Sequence, residues 1–433
     1  MRPGNIFVLV GMFVISAMNI IYHTVLQSEN KNSLCTTEIA SNTDGTATSG
    51  NIFQMQRGRS FVDSNKAFSA DWHSTYPDTY PNSDKWAVVT TIFKPTKTVL
   101  GLLGLPGWCT VVVADRKSVA EYKGPEGACL VYLTPERQRQ LPYNILHHLQ
   151  WNTFARKNVG FLFAMHHGAR VIYDTDDDNE VSDTGLLQQW AKGGVHSIHT
   201  SPEKVVNPYP SFGASTVWPR GFPLDLIRES ANNSTQTTQT TTGSVRCGII
   251  QSLADVEPDV DAIYRLSPLA YPVSFRVQPY VLRVAPTSLS PFNAQATLFF
   301  QDSFHLMLLP ATVHGRVSDI WRGYFAQHIM RWGPWPECRL NFVSPWVSQF
   351  RNSHSYLADF DAEIPLYLQS TALIEYLIQH VHPTLTLLFI AMYEHGIVEL
   401  DDVYLAQAWE ADINVIKAKM GAQGTVMQDD MRV

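Results

Sequence analysis

Apolar positions along the chain fall into three kinds of pattern, and each predicts a different structure. Ile6 to Tyr22 is almost unbroken apolar residue, interrupted only by Gly11, Ser16 and Asn19. That length is about the lower limit for a helix crossing a bilayer. A short span suits the thinner membranes of the early secretory pathway, and Arg2, the only positive side chain before it, favours a cytoplasmic N-terminus with the body in the lumen. A cleaved signal peptide would show the same charged start and apolar centre, although no Ala-x-Ala site closely follows. Residues from about Gln27 to Ser83 are rich in Ser, Thr, Asn, Asp and Gly without periodicity, which reads as a stem.

The second pattern is short apolar runs alternating with helical stretches. Trp86-Ala-Val-Val-Thr-Thr-Ile-Phe93 reads as a buried strand, and Pro95 then opens a helix through Leu102-Leu103. Cys109-Thr-Val-Val-Val-Ala114 is a second strand, ending on Asp115. Trp151 to His167 reads as a helix closed by Gly168, and Ala169-Arg-Val-Ile-Tyr173 as the strand after it. This β-α-β-α-β order predicts an α/β fold with a mostly parallel sheet and helices on both faces, whose ligands sit outside the carboxyl ends of the strands. The tract from Asn233 to Thr242, nearly all Ser, Thr and Gln, reads as a disordered surface loop. The third pattern lies toward the C-terminus. Ala296 to Pro310 and Val313 to Trp332 are again apolar, and Glu363 to Lys419 reads as a helical tail with Pro383 between two helices. Thr384 to Met392 is too short to span a membrane and reads as a buried helix.

Composition changes this picture little. A 45% hydrophobic content over 433 residues supports a real core. A formal charge of -7 and a pI near 6.1 give nucleic acid or an anionic membrane no overall attraction, so an anionic ligand needs a local pocket of Lys and Arg. Five scattered cysteines make neither a disulfide scaffold nor a zinc site. Cys109 and Cys129 can pair or stay as buried thiols. Asn232-Asn-Ser-Thr235 holds two overlapping glycosylation sequons, which matter only if the body is lumenal.

The chemistry concentrates at Asp174-Thr-Asp-Asp-Asp-Asn179, where four carboxylates in five residues follow a buried strand and would repel one another without a cation or solvent. Asp176 and Asp178 form a DxD pair whose hard oxygens suit Mn2+ or Mg2+. The bland alternative is an exposed acidic turn. Arg156-Lys157-Asn158 lies near the start of the preceding helix, where cations and backbone N–H groups could meet a diphosphate; an Arg-Lys pair is otherwise solvated surface. His314-Gly-Arg-Val-Ser-Asp-Ile-Trp-Arg-Gly-Tyr324 mixes charged and aromatic residues densely enough for a binding wall, or for an amphipathic helix with Ile320, Tyr324 and Phe325 in the core.

These motifs, with Lys85 to Phe93, Trp108 to Asp115, Trp151-Asn152 and Arg156 to Gly160, resemble the STELLO-type proteins, Golgi type II membrane proteins with a glycosyltransferase-like domain. The order Lys157-x-x-Gly160, Asp176-Asp-Asp178, Ser318-Asp-Ile-Trp321 is also similar to the reversibly glycosylated polypeptides, nucleotide-sugar mutases of the GT-A type. The resemblance implies a Golgi signal-anchor over 1–27, a stem over 28–83, a GT-A-like nucleotide-sugar-binding domain over 84–350 and a C-terminal helical extension over 351–433. It implies Asp176 and Asp178 on the metal and nucleotide, with Thr90, Asp115, Arg156, Lys157, His314, Arg316, Trp321 and Arg322 around the donor. Asp319 would be the acceptor-side carboxylate that takes the proton. Ser318 stands where the mutases have an acid, and Gln349 where a metal-binding His is expected; both departures bear on turnover. STELLO-type proteins are known in plants for assisting cellulose synthase assembly; at this length the sequence is without their long C-terminal extension, so that role is not expected to carry over.

Two functions follow as expectations. One is a metal-dependent transferase moving a sugar from a nucleoside diphosphate to a glycan or protein acceptor in the Golgi lumen. The other is an inactive scaffold that binds Golgi membrane proteins. A phosphatase reading of Val171 to Asp176 fails on Asp178, where Thr or Val is expected, and on the two strands that precede the motif.

Overall fold

The computed structural model describes residues 80–232, 239–245, 248–269, 272–333, 338–351 and 355–430. The expected anchor, the stem almost to its end and part of the sequon tract lie outside the described residues.

Eleven strands form one mixed α/β sheet: β1 Lys85–Thr90, β2 Cys109–Val113, β3 Leu130–Leu133, β4 Val171–Thr175, β5 Asn179–Val181, β6 Val195–Thr200, β7 Gln239–Ser244, β8 Gly248–Val256, β9 Tyr280–Arg283, β10 Ala296–Phe300 and β11 Arg339–Gln349. Their order is β3-β2-β1-β4-β10-β8-β11-β9-β6-β7, with β5 pairing β11. The β3-β2-β1-β4 block is parallel throughout, β8 and β11 are parallel, and β10 runs antiparallel between the two groups. Such a mostly parallel central sheet, covered by helices, is consistent with a GT-A-like fold. Seven helices of seven residues or more are described: α1 Lys97–Leu103, α2 Lys157–His166, α3 Thr184–Lys192, α4 Gly315–Trp332, α5 Tyr356–Gln379, α6 Leu385–Glu394 and α7 Leu400–Asp430.

Strand periodicity divides the core. In β1, Trp86 and Val88 face a layer that includes α2, α4 and the C-terminal helices, while Ala87 and Val89 face Val99 and Leu102 of α1 and Leu187 and Trp190 of α3. Helices therefore cover both faces. Gly160 sets how closely α2 lies on the sheet, because a Cβ there would sit 2.6 Å from both Val88 and Val113. The C-terminal helices are fastened by buried carboxylates of α7. Asp412 accepts from the Asn144 and Ile145 N–H groups at 2.9 and 3.1 Å, and Asp402 accepts from those of Ala311 and Thr312 at 2.6 and 3.1 Å.

Several expectations shift. The first helix starts after Thr96, whose hydroxyl caps Val99, so Pro95 precedes the helix rather than opening it. Trp151 to His167 is a turn, a short 3-10 segment and only then α2. The strand before the acidic turn extends to Thr175, taking Asp174 into the sheet. Part of the Thr-rich tract is an edge strand, β7, paired with β6 along its length. The tail holds three helices, and Pro365 lies inside the first. Among the described residues no helix is long and apolar enough to cross a membrane. Cys109 and Cys129 form a disulfide.

Candidate functional site

A cleft of about 360 Å³ opens at the carboxyl ends of β1 and β2. It is lined by Thr90, Asp115, Arg156 and Asp177 together with Thr91, Phe93, Lys117, Asn152 and Phe154. The position follows from topology: β1 is followed by β2 and β3 on one side, while β4 pairs on the other, and the diverging connections leave a crevice. Three expected donor residues, Thr90, Asp115 and Arg156, meet here. Asp115 is fixed by its own loop, accepting from the N–H of Arg116 at 2.7 Å and of Asn152 at 2.6 Å. Asn152 sits at φ 59, a strained value for a non-glycine residue, stabilised here by that bond.

Asp177, in the middle of the acidic turn, lines the other wall, while Asp176 and Asp178 are not among the lining residues. Tyr173 faces the α1 and α3 side of the sheet, so period two sends Asp174 to the α2 and α4 side. There it is fully buried and meets Lys157 at 2.6 Å and Arg322 at 2.6 Å. Lys157 also reaches Asp176 Oδ1 at 2.9 Å and the Ala294 carbonyl at 3.3 Å. Burial works to lower the Lys157 pKa, but the two carboxylates overcome it and raise it. The Arg156-Lys157 pair is thus buried rather than solvated, and Lys157 spends its charge on the turn.

Asp176 keeps about a third of its side chain exposed. Burial, with Asp178 and Asp174 adding to it against Lys157, pushes its carboxyl up to about 7. Burial also raises Asp178, whose Oδ2 accepts from Gln349 Nε2 at 3.2 Å. Pairing of β5 with β11 brings Gln349 opposite Asn179 and so beside Asp178. Gln349, expected from the resemblance where a metal-binding His would stand, therefore lies beside Asp178. Asp177 points the other way, accepting from the Thr91 hydroxyl, while its carbonyl accepts from Thr96 at 2.7 Å. Among the described residues no group of three or more His, Cys, Asp or Glu side chains could hold a metal by itself. Asp176 and Asp178 still fit the Mg2+ or Mn2+ habit of taking one or two carboxylates and completing the shell with water and substrate phosphate. Two adjacent carboxylates held above their ordinary range are what such a cation would relieve.

The His314 to Tyr324 stretch is neither an open wall nor a simple amphipathic helix. Within α4, every residue from Val317 to Met330 is buried. His314 caps its start, accepting from the Arg316 N–H at 3.2 Å. Arg316 turns to Glu363 and, at 3.6 Å, Asp359 on α5. Trp321 is in the core. Asp319 is bonded through both oxygens, to Arg220 at 3.1 and 3.0 Å and to the N–H groups of Ala294 and Ile320 at 3.2 and 3.1 Å. None of these residues lines the cleft, although Gly315 abuts Phe154, which does. Asp319, Arg316 and Trp321 thus lie away from the cleft, Asp319 and Arg316 in ion pairs and Trp321 in the core.

Sequence reasoning missed the hub joining the two regions. Asn293-Ala-Gln295, just before β10, ties Asp319 through the Ala294 N–H, Lys157 through the Ala294 carbonyl, and Arg322 through the Asn293 carbonyl at 3.1 Å. The Gln295 amide donates to Gln349. Two amides flanking a lone alanine before an apolar strand were the available signal.

An α/β sheet with a strand-end cleft is consistent with a GT-A-like fold, and comparison with known proteins supports a glycosyltransferase-like class. The STELLO resemblance holds: residues 316–411 match the family model of the STELLO glycosyltransferases. The chain is 30% identical to the probable glycosyltransferases STELLO2 and STELLO1 of Arabidopsis thaliana, over 356 and 355 residues, which are 77% and 76% of this chain. Those stretches are 45% and 44% of the relatives, so the chain spans less than half their length.

Proposed function

We propose that this protein binds a nucleoside diphosphate sugar in the strand-end cleft, with Asp176 and Asp178 holding Mn2+ or Mg2+, and transfers the sugar to a glycan or protein acceptor. The observation that carries this reading is the meeting of Thr90, Asp115 and Arg156 with Asp177 around one cleft, which sets the flanking Asp176 and Asp178 at its edge. A divalent ion bound there would neutralise charge on the departing diphosphate. Lys157 fixes the turn from below, Asp115 orders the opposite loop, and Phe93 and Phe154 shield the space between them. The Cys109–Cys129 disulfide supports an oxidising compartment, in keeping with a lumenal domain anchored in a Golgi membrane.

A thermal-shift series with UDP, GDP and their sugars, with and without Mn2+, tests the reading. A metal-dependent rise that disappears in Asp176→Asn supports it; no rise with any donor sinks it. The second reading, a non-catalytic scaffold for Golgi membrane proteins, is favoured by the full engagement of Asp319 with Arg220 and by Gln349 beside Asp178. It predicts donor binding without turnover, and partner binding that survives loss of Asp176.

A further inference from the structure

One rim of the cleft gathers positive charge that the acidic turn does not use. The half-buried Trp151 ring has the guanidinium of Arg156 at 3.9 Å from its centroid, and those of Arg116 and Arg139 each at 5.3 Å. Lys117 lines the adjoining cleft beside Arg156. Four cations therefore crowd one edge of a chain whose formal charge is -7. Nearby acids do little to balance them. Asp115 gives both oxygens to backbone N–H groups. Glu136 meets Arg139 only at 3.5 Å with both side chains more than half exposed, a geometry in which an ion pair contributes little. Arg156 is buried and its Nε lacks a partner. Burial depresses its guanidinium to about 10 despite Asp115, and Arg139 and Arg116 push it the same way. Stacking on an aromatic face offsets only part of the repulsion among clustered cations. What remains unmet is a ligand with planar or tetrahedral oxyanion geometry, which guanidinium forks match.

We propose that Arg116 and Arg139, which flank Trp151, form with Lys117 of the adjoining cleft an oxyanion subsite at its mouth, taking a phosphate or carboxylate carried by a reacting molecule. The inference deepens the donor-site reading and rests on it for the identity of the cleft. The oxyanion belongs either to the nucleotide's own diphosphate or to an acidic acceptor sugar, and binding experiments separate the two sources.

The test is calorimetric titration of the full chain, without metal, with pyrophosphate and separately with glucuronate, at two salt concentrations. Wild type is compared with the double variant Arg116→Gln, Arg139→Gln. Both arginines are exposed, so the double variant is expected to fold, and its melting temperature checks this. Removing the two charge-assisted contacts should weaken binding about tenfold and flatten the salt dependence. Loss confined to pyrophosphate supports the subsite and assigns it to the donor; loss of glucuronate binding supports it and assigns it to an acidic acceptor. Unchanged affinity of the double variant for both probes, or no binding by wild type, overturns the proposal. If metal-dependent donor binding fails in wild type while arginine-dependent anion binding persists, the donor reading falls and the subsite stands.

Discussion

Replacing Lys157 with Met removes the one cation shared by Asp174 and Asp176 while nearly keeping side-chain volume. Asp174 and Lys157 are both fully buried, and the ammonium contacts both carboxylates within 2.9 Å. Breaking a buried pair from one side costs about 3–5 kcal/mol, because the remaining charge has no water to turn to. Arg322 still holds Asp174 Oδ2 at 2.6 Å, and Asp176 is partly exposed, so the lower end applies, about 3 kcal/mol. For a chain of this size that corresponds to a fall in melting temperature of about 3–4 °C. Thermal unfolding followed by circular dichroism at a fixed scan rate measures it. Adding Asp176→Asn to Lys157→Met should recover part of the loss, since it removes the carboxylate whose ion pair was with Lys157, whereas Asp174 keeps Arg322. A fall of less than about 2 °C, or a double variant whose losses simply add, would refute the claim that Lys157 holds the turn.

Other outcomes follow from the packing and the titrating groups. Gly248 lies at φ 87 with space for a Cβ only 2.5 Å from the Arg339 carbonyl oxygen, so Gly248→Ala should destabilise by about 2 kcal/mol or more through strain at the β8–β11 pairing. Equal urea midpoints for variant and parent would contradict this. A chain of hydrogen bonds runs from Tyr376 to His382 Nε2 (3.4 Å), from His382 Nδ1 to His328 Nε2 (3.2 Å) and from His328 Nδ1 to the Leu377 carbonyl (2.9 Å). Burial, with His382 nearby, lowers His328 from 6.5 to about 4, so the fold prefers the neutral ring. The stability this contributes is complete above pH 6.5 and lost as pH falls toward 4, about 3 kcal/mol in all. His328→Gln should flatten the acid limb of urea midpoints relative to wild type. An unchanged slope would show that His328 does not drive it.

The parts of this molecule legible in the sequence are those whose signal is local. β1 and β2 are continuous apolar runs, and the helix ending at Gly168 closes where a left-handed residue is needed. β3 escaped because Leu-Val-Tyr-Leu is only four residues long. β7 escaped because a Thr- and Gln-rich edge strand lacks apolar alternation, its stability coming from the β6 ladder. At the site, Asp115 and the acidic turn were readable from strand-end placement, Arg156 from its place near a helix start, and Thr90 only through the family resemblance. The roles of Lys157, Arg316 and Asp319 were not, since charge alone does not distinguish a side chain facing a ligand from one neutralising a buried partner. Arg220 is 99 residues from the carboxylate it holds, and the 293–295 hub has no charge to mark it.

The central claim is that Asp176 and Asp178 share a divalent ion with a nucleotide diphosphate. Electron paramagnetic resonance of Mn2+ titrated with the full chain, with and without UDP or GDP, tests it most directly, because bound and free ion give separable signals. The account predicts weak binding of the ion alone, marked tightening when the right diphosphate is added, and loss of that tightening in Asp176→Asn and Asp178→Asn. Free-ion signal unchanged by either nucleotide, or equal tightening in both variants, would contradict it.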